Sequence, residues 1–325
     1  MSFEPAISIV MPAYNVGRFI EDTLQSVLDQ TERDWECIII DDGSTDDTVS
    51  RLQRFVDADP RFRLLRQQNS GQSKARNRGK DAANPSSQFI CFLDSDDVWF
   101  PDALAQLRGA LEAHPSAVAA HGLADLIDER GTRLDEPPNA RMPSFAEFGR
   151  SRMACRDGRL VPVDVSSPTT FRTLYPVSRI YPTGLVLIRR DALMKVGGFN
   201  GQYKALEDWD LWLRLSRLGE FQFVDRVIIH YRRHADNLTN NVSSTTRDVR
   251  LLLSNHYFSK ENNAEQQRIV HEGFRAFHAG RRRENAELTR EHWRARRYRN
   301  ALKAALKTCH HSMVWARGFP TPIGI

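Results

Sequence analysis

Four short apolar runs, each followed by a helical stripe, set what the first third of this chain can fold into. Residues 6–11 (AISIVM), 35–40 (WECIII), 62–65 (FRLL) and 89–93 (FICFL) read as strands. Between them, residues 17–30 place Phe19, Ile20, Leu24, Val27 and Leu28 on one helical face, and Val49, Leu52 and Val56 do the same after a Ser44-Thr45 cap. Residues 73–83 read as a third helix. Runs apolar on both faces suit strands covered by helices on both sides. Strict alternation of strand and helix predicts an α/β fold, a mostly parallel, doubly wound sheet with right-handed crossovers.

The rhythm then loosens. A helix over 102–113, a strand over 118–127, a turn at Asp128-Glu129-Arg130-Gly131 and a short strand over 132–134 are expected. Residues 135–178 carry Pro137, Pro138, Pro143, Pro162, Pro168 and Pro176 with little periodicity, and read as an irregular functional loop region. A strand over 183–188, a helix over 191–196 closed by Gly197-Gly198, an apolar helix through Trp209, Leu211, Trp212, Leu213, Leu215 and Leu218, and a last strand over 221–231 complete the body. From about residue 245 the chain is helical and polar. The division expected is a body over 1–240, with halves at about 1–115 and 116–240, and a basic helical region over 241–325.

Charge follows that division. From Lys260 onward there are 14 Lys/Arg against 6 Asp/Glu, a net +8, whereas the whole chain carries +5. The body is therefore slightly acidic, and the basic character belongs to the tail. No apolar run approaches the ~20 residues that span a bilayer, and MSFEPAISIVMPAYN lacks the basic-then-apolar order of a signal peptide. Cys37, Cys91, Cys155 and Cys309 lie far apart without CxxC pairing, as reduced thiols of a cytoplasmic protein do.

The strand at 89–93 runs straight into Asp94, Asp96 and Asp97. Ligands of open α/β sheets gather beyond the strands' carboxyl ends, and three acids there repel unless a positive charge sits among them. A divalent cation carrying a diphosphate is one reading; an acidic turn leading into the next helix is the other. The spacing is not an EF-hand, since position six is Trp99 and position twelve Ala105. Three further pieces end at the same sheet edge. Pro12-Ala13-Tyr14-Asn15 offers an aromatic face and an amide, for a nucleobase or for plain packing. Asp41-Asp42-Gly43-Ser44-Thr45-Asp46 offers carboxylates and a close turn, or an ordinary helix cap. Asn69-Ser70-Gly71-Gln72-Ser73-Lys74-Ala75-Arg76 offers a turn, a Ser73 cap and basic side chains for an anionic nucleotide. Neither a P-loop nor a dinucleotide fingerprint is present.

Taken in order, SIVMPAYN, IIIDDGSTDDT, NSGQSKARNRG and FLDSDDVW resemble the N-terminal half of the family-2 inverting glycosyltransferases of GT-A fold, closely over residues 6–110. The likeness resumes at Gly197-Gly198-Phe199, Glu207-Asp208-Trp209-Asp210, Tyr231-Arg232-Arg233-His234 and Asn237-Leu238. The resemblance implies a catalytic body over 1–240 that moves a sugar from a nucleotide diphosphate sugar (UDP- first, dTDP- or GDP- as alternatives) to a hydroxyl of a glycan or lipid-linked acceptor in cell-surface polysaccharide synthesis. It implies that Tyr14 and Asp41 hold the base, with Pro12 shaping the pocket, Asn15 beside it and Arg76 near the nucleotide. Asp94-Ser95-Asp96 becomes the Asp-x-Asp motif, with Asp96 the Mg²⁺ or Mn²⁺ ligand, Asp94 on ribose or metal-bound water, and His234 a further candidate for metal or diphosphate. Asp97 is left to support the turn. Asp208 matches the general base; its plain reading is an acid favoured at a helix N-terminus.

Two rival readings stay open. A nucleotidyltransferase would need a Gly-rich triphosphate loop, which residues 10–15 are not, and a non-catalytic sugar-nucleotide binder would dispense with Asp208. The tail's arginines fit an anionic inner-membrane surface, packing on the body or a second subunit, or a solvated face. No nucleic-acid module is found.

Overall fold

The computed structural model describes residues 4–134, 144–157, 159–237 and 242–317. Pro137, Pro138, Pro143 and Leu238, and the side chains of Cys309 and Trp315, lie outside the described residues.

The predicted alternation is present: β1 (Ile7–Ala13), α1 (Ile20–Leu28), β2 (Trp35–Asp41), α2 (Thr48–Ala58), β3 (Phe62–Arg66), α3 (Gln72–Ala82) and β4 (Phe89–Phe92). There follow β5 (Val98–Trp99), α4 (Ala103–Ala113), β6 (Ala119–Ile127), α5 (Phe145–Arg150), β7 (Met153–Arg156), β8 (Arg159–Pro162) and α6 (Phe171–Leu174). A 3₁₀ turn at Thr183–Leu185 leads into β9 (Val186–Arg189), then α7 (Arg190–Val196), α8 (Glu207–Leu215), β10 (Phe221–Arg232), α9 (Val242–Tyr257), α10 (Ala264–Arg294) and α11 (Tyr298–Arg317).

One eight-stranded sheet runs in the order β3-β2-β1-β4-β9-β6-β10-β5. Its first four strands are mutually parallel, β9 runs antiparallel between β4 and β6, β10 is parallel to β6, and β5 is an antiparallel edge. This is the GT-A arrangement, a Rossmann-like sheet flanked by helices. β1 and β2 are buried along their whole length, as strands covered on both faces must be. Gly79 lets α3 lie on the sheet: a Cβ there would stand 2.3 Å from Val10 Cγ1.

Several expectations are corrected. Residues 144–178 are not loop throughout. Ser144 and Glu147 close a capping box that starts α5, and β7–β8 is a hairpin. Ser44, Thr45 and Ser73 cap no helix; α2 begins after Asp47 and α3 after Gly71 at φ +89°. Residues 132–134 give an isolated bridge, Arg133 to Ile127, in place of a strand. Part of the tail packs on the body, one of the readings left open above. Leu252 and Leu253 of α9, with Ile269, Val270 and Phe274 of α10, join the same apolar core as the sheet. Gly273 brings α10 against the Tyr175 ring, whose hydroxyl donates to the Leu253 carbonyl at 3.2 Å. Cys37, Cys91 and Cys155 are buried thiols outside any disulfide.

Candidate active site

A cleft of about 710 Å³ opens over the carboxyl ends of β1, β2 and β4, where an open α/β sheet collects ligands. Pro12 and Tyr14 form one wall. Tyr14 is 48% exposed, so its ring is available to a ligand instead of spent on packing. Asn15 lines the cleft too, but its side chain is committed: Oδ1 accepts from Thr45 N at 2.8 Å, and its own N–H donates to Ser44 Oγ at 3.0 Å. Those two contacts are what the Ser-Thr pair does in place of capping α2, and they hold Asn15 at φ +52°.

The paired acids of the second loop separate in function. Asp41 is fully buried and away from the cleft wall, accepting from Ser44 N at 3.0 Å and Arg66 Nε at 3.2 Å. Of the two acids, Asp42 lines the cleft. Its carboxylate accepts from Ser70 N at 2.9 Å, Gly71 N at 2.8 Å and Gln67 Nε2 at 2.7 Å, which fastens the 69–71 loop beside it.

Arg76 lies beneath the acidic loop. It is completely buried behind the cleft, donating to Asp94 Oδ1 at 2.5 Å and Glu207 Oε1 at 2.7 Å, with its guanidinium 5.0 Å from the Phe199 ring centre. Burial opposes its charge and the two carboxylates more than offset this, so it stays protonated. The same side chain ties the first acidic loop to the start of α8 across 131 positions of sequence. Burial raises Asp94 above the usual carboxylate range, with Arg76 pulling against it.

Ser95 and Asp96 sit on the cleft floor, and Asp96 Oδ2 meets His234 Nε2 at 2.8 Å. His234 packs its ring 4.8 Å from Phe19, and its backbone N–H donates to Asn237 Oδ1 at 2.6 Å. Asp97 turns inward, fully buried, and accepts from Arg232 N at 3.0 Å. Burial and the neighbouring Asp96 and Asp94 push it well above its ordinary value. Arg232 donates to the Asp96 carbonyl at 2.8 Å and to Asp22 at 2.9 Å. Asp97 is thus a structural acid that anchors the end of β10, and hence His234, beside Asp96.

Facing these residues, α8 presents Glu207 and Asp208 to the cleft. Asp208 accepts only locally, from Trp209 N at 2.7 Å, and burial together with the Glu207 carboxylate raises it to about 7. That places its titration where a general base works at neutral pH. Glu207, treated in the sequence only as half of a pair, is a site residue; its Oε2 is a buried acceptor without a hydrogen-bond partner. Among the described residues no group of three or more His, Cys, Asp or Glu is assembled for a metal. Mg²⁺-type cations take one or two carboxylates and complete their shell with phosphate and water, so the Asp96–His234 pair with Asp94 fits a cation that arrives with a diphosphate.

Fold and cleft together define a GT-A framework with acids on both sides of the cleft. The chain belongs to glycosyl transferase family 2, whose sequence model matches residues 8–197. TuaG of Bacillus subtilis (strain 168), a glycosyltransferase assigned to teichuronic acid biosynthesis, is 38% identical over 136 residues, 42% of this chain and 53% of that protein. Chondroitin synthase of Escherichia coli is 28% identical over 233 residues, 72% of this chain and 30% of that one. The chain thus spans about half of the first relative and under a third of the second. Two solved structures share the fold. S. aureus TarS 1–349 in complex with UDP-GlcNAc matches at TM-score 0.61 and 15% identity, over 96% of this chain and 92% of that one. The mannosyltransferase PcManGT of Pyrobaculum calidifontis, in complex with GDP-Man and Mn²⁺, matches at TM-score 0.61 and 16% identity, over 99% of this chain and 78% of that one.

Proposed function

We propose that this chain transfers a hexosyl group, with inversion, from a nucleotide diphosphate sugar to a hydroxyl of a glycan or lipid-linked saccharide in cell-surface polysaccharide synthesis. The observation that carries the reading is one cleft with a donor side, Tyr14, Asp42 and Asp94–Asp96, and a basic group tuned to neutral pH, Asp208, facing it. Tyr14 stacks the base and Asp42 accepts from it, with Pro12 shaping that wall. Ser95 and Asp94 meet the ribose and diphosphate side. Asp96, Asp94 and His234 would hold Mg²⁺ or Mn²⁺, which supplies counter-charge to the departing diphosphate. Asp208 takes the proton from the acceptor hydroxyl as that oxygen attacks the anomeric carbon opposite the leaving group. Positioned base catalysis of this kind typically contributes ~10²–10⁴-fold. The Glu207 carboxylate keeps the proton affinity of Asp208 high, while Arg76, which holds Glu207, pulls it down. UDP is proposed as the donor nucleotide; TarS and PcManGT, which share the fold, were solved with UDP-GlcNAc and GDP-Man respectively.

The test has two arms. UDP-, GDP- and dTDP-sugars are screened for Mg²⁺- or Mn²⁺-dependent protection against thermal unfolding; a donor at ~100 times its dissociation constant adds about 2.7 kcal/mol. Asp208→Asn is then expected to keep that protection and lose transfer. Protection by none of the donors sinks the donor site, and turnover in Asp208→Asn sinks the base.

A further inference from the structure

Where α10 leaves the body, the surface changes character. Residues 281–307 hold ten Lys/Arg against three Glu. α11 packs back along α10, burying Ala304 and leaving Leu302 and Leu306 each 63% exposed. Residues four apart share a helix face, so Tyr298, Leu302 and Leu306 form one exposed apolar stripe. Trp293, 65% exposed at the end of α10, extends it, its ring 5.2 Å from Tyr298. The adjacent stripe, one residue round the helix, is Arg299, Lys303 and Lys307, all exposed. None of Arg294, Arg296, Arg297, Arg299, Lys303 or Lys307 pairs with a carboxylate among the described residues.

We infer that this face, α11 with the turn from α10, docks on an anionic lipid surface. Parallel apolar and basic stripes with interfacial Trp and Tyr match a helix lying in the headgroup–acyl boundary, where leucines enter the acyl edge and Lys/Arg reach anionic headgroups. The alternatives fit less well. A nucleic acid would engage the cations and leave the leucine stripe in water. A second copy of the chain would set basic stripe against basic stripe. No described helix is long and apolar enough to cross a membrane, so the contact is lateral. The inference goes beyond the proposed transfer and is read without any sugar donor, so either can fail while the other stands.

The experiment is co-sedimentation of the full chain with phosphatidylcholine vesicles, with and without phosphatidylglycerol, at low and high salt. Binding that requires phosphatidylglycerol and weakens with salt is expected. Leu302→Gln with Leu306→Gln should lower the partition coefficient about tenfold or more, and Arg296→Gln, Arg297→Gln and Arg299→Gln should remove the lipid-charge dependence. Unchanged melting temperatures confirm that both variants fold. Equal partition of parent and leucine variant overturns the inference, as does the absence of binding to anionic vesicles. A parent that sediments as a dimer, is made monomeric by the leucine change and ignores vesicles would assign the face to a second copy instead.

Discussion

The most informative single residue is Asp208. Its raised value gives two predictions of opposite sign. The proposed base works in its ionised form, so kcat/KM should rise with pH through about 7 and then level. Stability runs the other way. The folded value lies above the unfolded 3.8, so the fold favours the protonated acid, and stability is lost as pH climbs from about 4 to 7. Asp208→Asn should therefore melt higher than the parent at pH 8 and nearly level with it at pH 4, as scanning calorimetry will show. Asp41 and Asp42 give the next contrast. Asp42→Ala should weaken donor protection with modest change in melting, whereas Asp41→Ala should lower the melting temperature by leaving Ser44 N and Arg66 without their acceptor. The sequence marked this pair but could not divide it. Successive residues of a strand point to opposite sides, and which side meets the ligand depends on the turn at Gly43, φ +80°, and on contacts with residues 66–71. Tyr14, Asp94–Asp96, His234 and Asp208 were picked out by short local motifs, and the fold gathers them along one cleft. The tie of Arg76 to Glu207 was not legible, because that partner lies 131 positions away in sequence.

Among elements, α8 is positioned mostly by parts that follow or face it. Arg76 on α3 is one support. Replacing it with Met leaves Glu207 and Asp94 without their cation, and breaking such a buried pair costs about 3–5 kcal/mol; Lys, lacking the fork that reaches both acids, should restore only part. Urea melts of the two variants measure this. α9 is another support. Asp248, fully buried, accepts from Lys204 N at 2.6 Å and Ala205 N at 3.0 Å, in the segment that enters α8 along the cleft wall. His256 on the same helix meets Asp210 at 3.0 Å. Asp248→Ala should cost about 1–3 kcal/mol for the lost acceptor and lower kcat, while donor protection persists because the Tyr14–Asp42 wall is untouched. Unaltered kcat would show that α9 supports the fold alone. Helical periodicity disclosed α9 and the proline count singled out 135–178, but neither signal says what an element packs against. The capping box at Ser144 was readable; the β7–β8 hairpin, short and half exposed, carried no alternation to read.

On the scale of the whole molecule, the half of the sheet from β1 to β4 is built from neighbours in sequence, and the other half from distant ones. That is why the strand–helix rhythm was plain to residue 93 and faint beyond it, where β9 inserts antiparallel and β10 reaches back to β6 and β5. The tail likewise proved to be two things, a clamp on the body and a basic, leucine-striped arm. Arg232 draws a further consequence from this layout. It closes on Asp97 135 positions upstream, and Glu207 closes on Arg76 across 131. During synthesis at ~5–20 residues per second, the acidic loop waits on the order of ten seconds for these partners to emerge. The nascent first half therefore holds Asp97 without Arg232, and Arg76 without Glu207. A ribosome-stalled chain ending before residue 207 should remain protease-sensitive at residues 94–99, and one extended past residue 232, clear of the exit tunnel, should become resistant.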